Sequence, residues 1–113
     1  MKSKQKKTLQ VWNEQQTSRV IEDVLGCKWT VVVLRAIANG TNRPGVLTRT
    51  ISGLSAKVLN QRLRKLLRYS IISRKVFNEI PPKVEYALTP LGRRIAKVLT
   101  ELDRIENDLE AVS

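Results

Sequence analysis

LSAKVLNQRLRKLLRYSIISRKVFNEIPPKVEYALTPL, residues Leu54–Leu91, decides the fold. Its first part carries Leu59, Leu63, Leu66 and Leu67 at i, i+4, i+7 and i+8, the spacing of one buried helical stripe. Ser55 is placed to cap that helix, about Ala56–Tyr69. Its other faces carry Lys57, Asn60, Gln61, Arg62, Arg64, Lys65 and Arg68. Two strand-like runs follow, Ile71–Phe77 and Val84–Leu88. The linker Asn78–Lys83 holds Pro81-Pro82, which cannot donate ladder hydrogen bonds and therefore belongs at a hairpin tip. Between Lys57 and Lys97 there are 11 Lys/Arg against two acids, Glu79 and Glu85, a local net charge of +9. A helix and hairpin of this charge imply a polyanionic partner, and their order points to duplex DNA.

Upstream, Thr17 or Ser18 caps a first helix with Val20, Ile21, Val24 and Leu25 on one face, ending near Gly26. A second helix, about Lys28–Asn39, carries Trp29, Val32, Val33, Ala36 and Ile37 inward and stops at Gly40. The β-branched Val31–Val33 could start a strand, but the helical period runs on through Leu34–Ala38. Residues 41–44 read as a turn or very short strand, and about Gly45–Ile51 as a short helix with Val46, Leu47 and Ile51 inward. Gly53 breaks it, which leaves two helices joined by a tight turn at Ser52–Ser55, the helix-turn-helix pattern, with the hairpin as its wing.

Thr89 and Pro90 open the last helix, Thr as the cap and Pro at the first helical position. There Leu91, Ile95, Val98, Leu102, Ile105, Leu109 and Val112 alternate in steps of four and three, a heptad seam that calls for a partner helix. The expected fold is mainly α with a small β-hairpin (α+β), a winged helix-turn-helix with a terminal dimerisation helix. Its parts are a basic N-terminal arm over 1–16, the DNA-binding domain over 17–89 and the dimerisation helix over 90–113.

One domain is what 113 residues allow, and 42% hydrophobic residues suffice for a modest core. The net charge is +11, but five of the ten acids fall in the last 13 residues, so residues 1–100 carry +15. An acidic end on a basic body separates a binding surface from a second task. With no His and one Cys, the usual Cys/His metal sites and Ser-His or Cys-His catalytic sets are unavailable, and no enzyme activity or cofactor is expected. The single Cys also fits a reducing cytoplasm. No apolar run approaches the ~20 residues of a membrane span. The start, MKSKQKK, lacks the apolar core of a signal peptide.

Three segments carry a family resemblance: Gly26–Trp29 with Leu34, Ile51–Leu66 (ISGLSAKVLNQRLRKL) and Pro81–Gly92 (PPKVEYALTPLG). Over roughly Val20–Val98 the chain resembles the HxlR-type winged helix-turn-helix transcription regulators of bacteria. The resemblance implies a homodimer, built through the first and last helices, that binds operator DNA near promoters. Some members of that family sense electrophiles or oxidants through a cysteine ahead of the first helix. Here Val11–Arg19 has none, and Cys27 stands where the family usually has a second glycine.

Specific roles follow. Ser55, Lys57, Asn60, Gln61 and Arg64 face base edges, because Asn and Gln pair with adenine and Arg with guanine. Arg62, Lys65 and Arg68 meet phosphates or water, and Arg74, Lys75 and Lys83 bring the wing to the flanking backbone or minor groove. Glu85, Tyr86 and Trp29 are structural. Trp12, with Leu91, Ile95, Val98, Leu102, Ile105 and Leu109, is assigned to the dimer interface. Cys27 is a candidate redox sensor, since a helix N-terminus and the adjacent Lys28 both favour a thiolate; the alternative is a small space-filling side chain. Two other classes remain open: a nucleic-acid binder without sequence preference, and a protein-interaction module.

Overall fold

The computed structural model describes Arg19 and residues 21–112. The expected arm, with Trp12 and the capping Thr17 and Ser18, lies outside the described residues. A short π-wound helix α1 (Ile21–Leu25) leads into α2 (Lys28–Ala38), α3 (Pro44–Thr50) and α4 (Ala56–Arg68). Strands β1 (Ile72–Phe77) and β2 (Lys83–Leu88) pair antiparallel, and α5 (Pro90–Val112) ends the described chain. This is the mainly helical, winged fold read from the sequence.

Leucine and β-branched side chains build one core from every element. Val24, Val33, Leu34, Leu47, Leu59, Leu63, Leu66 and Ile71 are all essentially sealed from solvent. The inward face of α2 is rotated from the expectation. Trp29, Val32 and Ala36 are only half-buried, while Thr30 and Leu34 lie fully inside. Trp29 instead lies over the turn between α3 and α4. Gly53 there has φ +81°, a conformation that favours glycine, and a methyl group on it would sit 3.6 Å from the indole.

Ser55 caps α4 as expected, its Oγ accepting from Val58 N–H at 3.1 Å. The other end of α4 closes through a serine. Ser70 has φ +58°, Ile71 N–H reaches Leu66 O at 2.9 Å and Ser70 N–H reaches Leu67 O at 2.9 Å. This is the double hydrogen bond of a Schellman cap, with Ser70 where glycine is usual. The reversal sends the chain directly into the wing. Facing residues run from Ile72↔Leu88 to Phe77↔Lys83. Tyr86 is buried and its N–H donates to Asn42 O at 2.8 Å, which ties the segment before α3 to β2. The sheet itself has two strands, so residues 41–43 form a turn and not the very short strand of the alternative reading.

Thr89 caps α5 with Oγ1 accepting from Gly92 N–H at 3.0 Å, and Pro90 takes the first helical position. Gly92 is buried where any β-carbon would collide with the Ile71 carbonyl oxygen. Two stripes then run along α5. Gly92, Ala96, Leu99 and Asp103 turn toward the domain. The heptad residues lie roughly a quarter turn away. Leu91, Val98, Leu102, Ile105 and Leu109 are between 43% and 64% exposed, whereas Ile95 packs in part on the domain's own core.

Candidate nucleic-acid interface

The leucine stripe of α4 faces the core and leaves a long polar face outside. Lys57, Asn60, Gln61, Arg64 and Arg68 are all exposed. Their offsets of three, four, seven and eleven from Lys57 put them on one side of the helix. Ser55 is exposed at its start, where its hydroxyl is engaged in the cap.

Arg62 and Lys65 sit differently. Both are half-buried on the flank facing the α1–α2 turn. Lys65 Nζ donates to Asp23 O at 3.0 Å, and Tyr69 Oη donates to the Asp23 carboxylate. Arg62 Nε is buried without a hydrogen-bond partner. Of the α4 cations named from the sequence, these two lie off the open face, and Lys65 is bonded within the protein.

Strand β1 carries the open face onward. Arg74 joins Asn60, Arg64, Leu63, Leu67 and Tyr86 around a recess of about 270 Å³ between α4 and the wing. Arg74 and Lys75 are exposed. Lys83 is half-buried, its Nζ 3.4 Å from Glu85 Oε2 and 4.8 Å from the Phe77 ring centroid. Lys75 Nζ lies 4.9 Å from the same ring. Phe77 thus holds two ammonium groups near the outer end of the wing.

Two further cations had no signal in the helical periodicity. Arg43 stands at the start of α3 and pairs with Glu85, Nη2 to Oε2 at 3.3 Å. Arg49 is exposed on α3 and lines a second basin, about 420 Å³, with Arg43, Lys83 and the wing residues Glu79, Pro81 and Pro82. The contact of Tyr86 with Asn42 brings these distant segments together. The candidate interface therefore has two basic parts, the recess where α4 meets Arg74 of β1 and the basin where Arg43 and Arg49 of α3 meet the wing, with Glu79 and Glu85 as acids beside the second.

Cys27 forms the N-cap position of α2 and is partly buried. Burial raises its pKa, but the nearby Thr30 hydroxyl and amide, with Arg62 and Lys65, outweigh this and hold the thiol below its ordinary value. The Thr30 hydroxyl is completely buried and finds no partner of good geometry. Among the described residues no cluster of three metal-ligating side chains occurs, and no helix is long and apolar enough to cross a membrane.

Comparison with known proteins bears on this geometry. An HTH-type transcriptional regulator of Escherichia coli K12, YtfH, is 38% identical over 97% of this chain and 88% of its own length. One from Synechocystis sp., sll1512, is 43% identical over 78% of this chain, which spans 65% of that relative. Among solved structures, a transcriptional regulator of the MarR family from Enterococcus faecalis V583 superposes with a TM-score of 0.76 at 31% identity, covering 87% of this chain and 88% of the other. The family model of the HxlR-like helix-turn-helix matches residues 24–111. The chain, with its leucine-seated α4 and its wing, belongs to the HxlR-like helix-turn-helix family.

Proposed function

We propose that this protein is a homodimeric, cytoplasmic transcription regulator that reads an inverted-repeat operator in duplex DNA. In this reading α4 enters the major groove, with Asn60, Gln61 and Arg64 at base edges and Lys57 and Arg68 nearer the phosphates. The wing, residues 71–88, follows the flanking backbone and minor groove through Arg74, Lys75 and Lys83. The observation that carries the reading is the single-sided polar face Lys57–Asn60–Gln61–Arg64–Arg68, exposed along its length and continuous with Arg74. A solvated helix does not need adenine- and guanine-matching side chains on its one free face.

The dimer rests on the exposed seam of α5. Leu91, Val98, Leu102 and Ile105, at heptad spacing and each about half exposed, match the knobs of a helix pair. Two-fold symmetry then sets the half-sites about one helical turn, roughly ten base pairs, apart.

The test is a selection of random duplex DNA by the purified protein at ~150 mM salt, where non-specific binding is weakened. An enriched inverted repeat at that spacing is the expected result. Retention without an enriched motif would instead assign a binder that reads only the backbone, and no retention would count against nucleic acid altogether.

A second reading adds regulation through Cys27. It is supported by the favoured thiolate at the front of α2, beside two cations of α4. Modification of the thiol would alter the charge that Arg62 and Lys65 feel, and so the seat of the recognition helix.

A further inference from the structure

At the far end of the wing one residue breaks the polar character of the interface. Ile80 is completely exposed at the hairpin tip, followed by Pro81-Pro82. Among the described residues, apart from Val76, the other large exposed apolar residues all belong to α5, so Ile80 lies outside that seam. Behind it, Lys75 and Lys83 are both held over the Phe77 ring, at 4.9 and 4.8 Å from its centroid. The adjoining acid, Glu79, lines the basin with Arg43, Arg49 and Lys83. The wing thus presents an apolar point with positioned cations behind it.

The reach suits DNA. Arg74 shares a recess with Asn60 and Arg64 of α4, and Ile80 lies six residues further along the chain. That span is at most roughly 20 Å at ~3.3 Å per residue. A minor groove lies half a helical turn, about 17 Å, from the major groove that α4 would fill.

Resting on the DNA-reading function above, we propose that Ile80 is a specificity-determining residue that packs on the minor-groove floor beside each half-site and selects A·T over G·C there. The chemistry is that of the groove. A·T pairs show only the adenine N3 and thymine O2 acceptors at a smooth floor, while a G·C pair adds the projecting guanine N2 amino group. An isoleucine meets the first without covering a donor. Over the second it is lifted by the amino group and leaves that donor without water or partner, which is unfavourable. Apolar side chains at such points are a known means of engaging this groove.

The experiment uses the selected operator with one flanking pair set to A·T, G·C or inosine·cytosine, titrated with the full chain at constant salt. Inosine lacks the N2 amino group but keeps guanine's major-groove edge. Wild type is expected to bind the G·C flank about tenfold more weakly than A·T, with inosine·cytosine restoring the A·T affinity. Ile80→Ser should bind all three flanks alike and keep its preferences inside the half-sites. Ile80 is fully exposed, so the variant has no core contact to lose. Equal wild-type affinity for all flanks, no rescue by inosine, or undiminished discrimination in Ile80→Ser overturns the proposal while leaving the DNA-reading function intact. A preference for G·C that disappears in Glu79→Gln overturns it in favour of the carboxylate. Failure of wild type to select any operator removes the functional reading itself.

Discussion

Arg35 of α2 and Asp103 of α5 meet as a two-point pair, Nη1 to Oδ2 at 2.5 Å and Nη2 to Oδ1 at 2.9 Å. The pair marks where α5 leaves the domain, since every residue from Arg104 to Val112 is exposed. The Arg35 hydrogen bonds hold the Asp103 carboxyl below its ordinary range against a smaller opposing effect of burial. A depressed folded-state pKa contributes stability above the unfolded carboxylate value and loses it as pH falls through the folded one. Docking of α5 on α2 should therefore weaken in strong acid, and Asp103→Asn should remove that dependence. Amide exchange around Leu99–Asp103, followed across acid pH in both proteins, measures it. Both side chains are about two-fifths exposed, so the effect should be small and shrink with added salt.

Ser70 occupies the left-handed position that closes α4, at φ +58°. A side chain there is disfavoured, and glycine removes the strain at some entropic cost. Ser70→Gly should stabilise the protein by roughly 0.5–1 kcal/mol, and Ser70→Val should destabilise it by more than that. Urea denaturation of the three proteins gives the comparison.

Gln61 and Lys83 should separate the two components of DNA binding. Gln61→Ala should relax base preference at one operator position by ~1–3 kcal/mol while leaving the salt dependence unaltered. Lys83→Ala should weaken binding to all sequences alike and lower the salt slope by less than one. Because Lys83 is partly engaged by Glu85, a smaller change in slope is expected than for Arg74→Ala or Lys75→Ala. Titrations of operator variants at several salt concentrations test both.

The α5 seam should be the first surface to fail under charge insertion. Leu102→Glu combined with Ile105→Glu places four carboxylates in a two-fold seam while replacing no buried residue of the protomer. Sedimentation should report a folded monomer, with operator binding reduced far more than binding of a single half-site. A variant that sediments as wild type would remove the dimer assignment.

Cys27 should react as a thiolate at lower pH than an ordinary cysteine. Alkylation rate against pH should show a midpoint below the usual thiol value, shifted upward in Thr30→Val. Peroxide or a quinone should change operator affinity in wild type and not in Cys27→Ser. Equal affinity before and after treatment would leave Cys27 a space-filling side chain.

Much of the architecture was legible because backbone rules are local. Periodicity marked α4 to within one residue, and Ser55, Thr89, Pro90 and Gly40 marked ends where a donor or acceptor must be satisfied. The end of α4 at Ser70 was harder to read, because a serine gives no sign that its neighbours will force it left-handed. The inward face of α2 was legible in part: Val33 and Ile37 are buried and Trp29, Val32 and Ala36 pack at the core's edge, but the centre of the face lies nearer Thr30 and Leu34. Packing gave the interior to Thr30 and Leu34 and laid the indole over Gly53 instead.

By itself the sequence determined the succession of helices and strands, the leucine stripe of α4 with its polar reverse, and the heptad of α5. Each depends on residues a few positions apart, whose relative directions the helix or strand geometry already sets. Only the tertiary structure decided which cations are free. It drew Lys65 to Asp23, split α5 into a docked stripe ending at Asp103 and an open seam, and gathered Arg43 and Arg49 beside the wing. Those pairings join segments tens of residues apart, and only the packing of the elements on a shared core brings such side chains within reach.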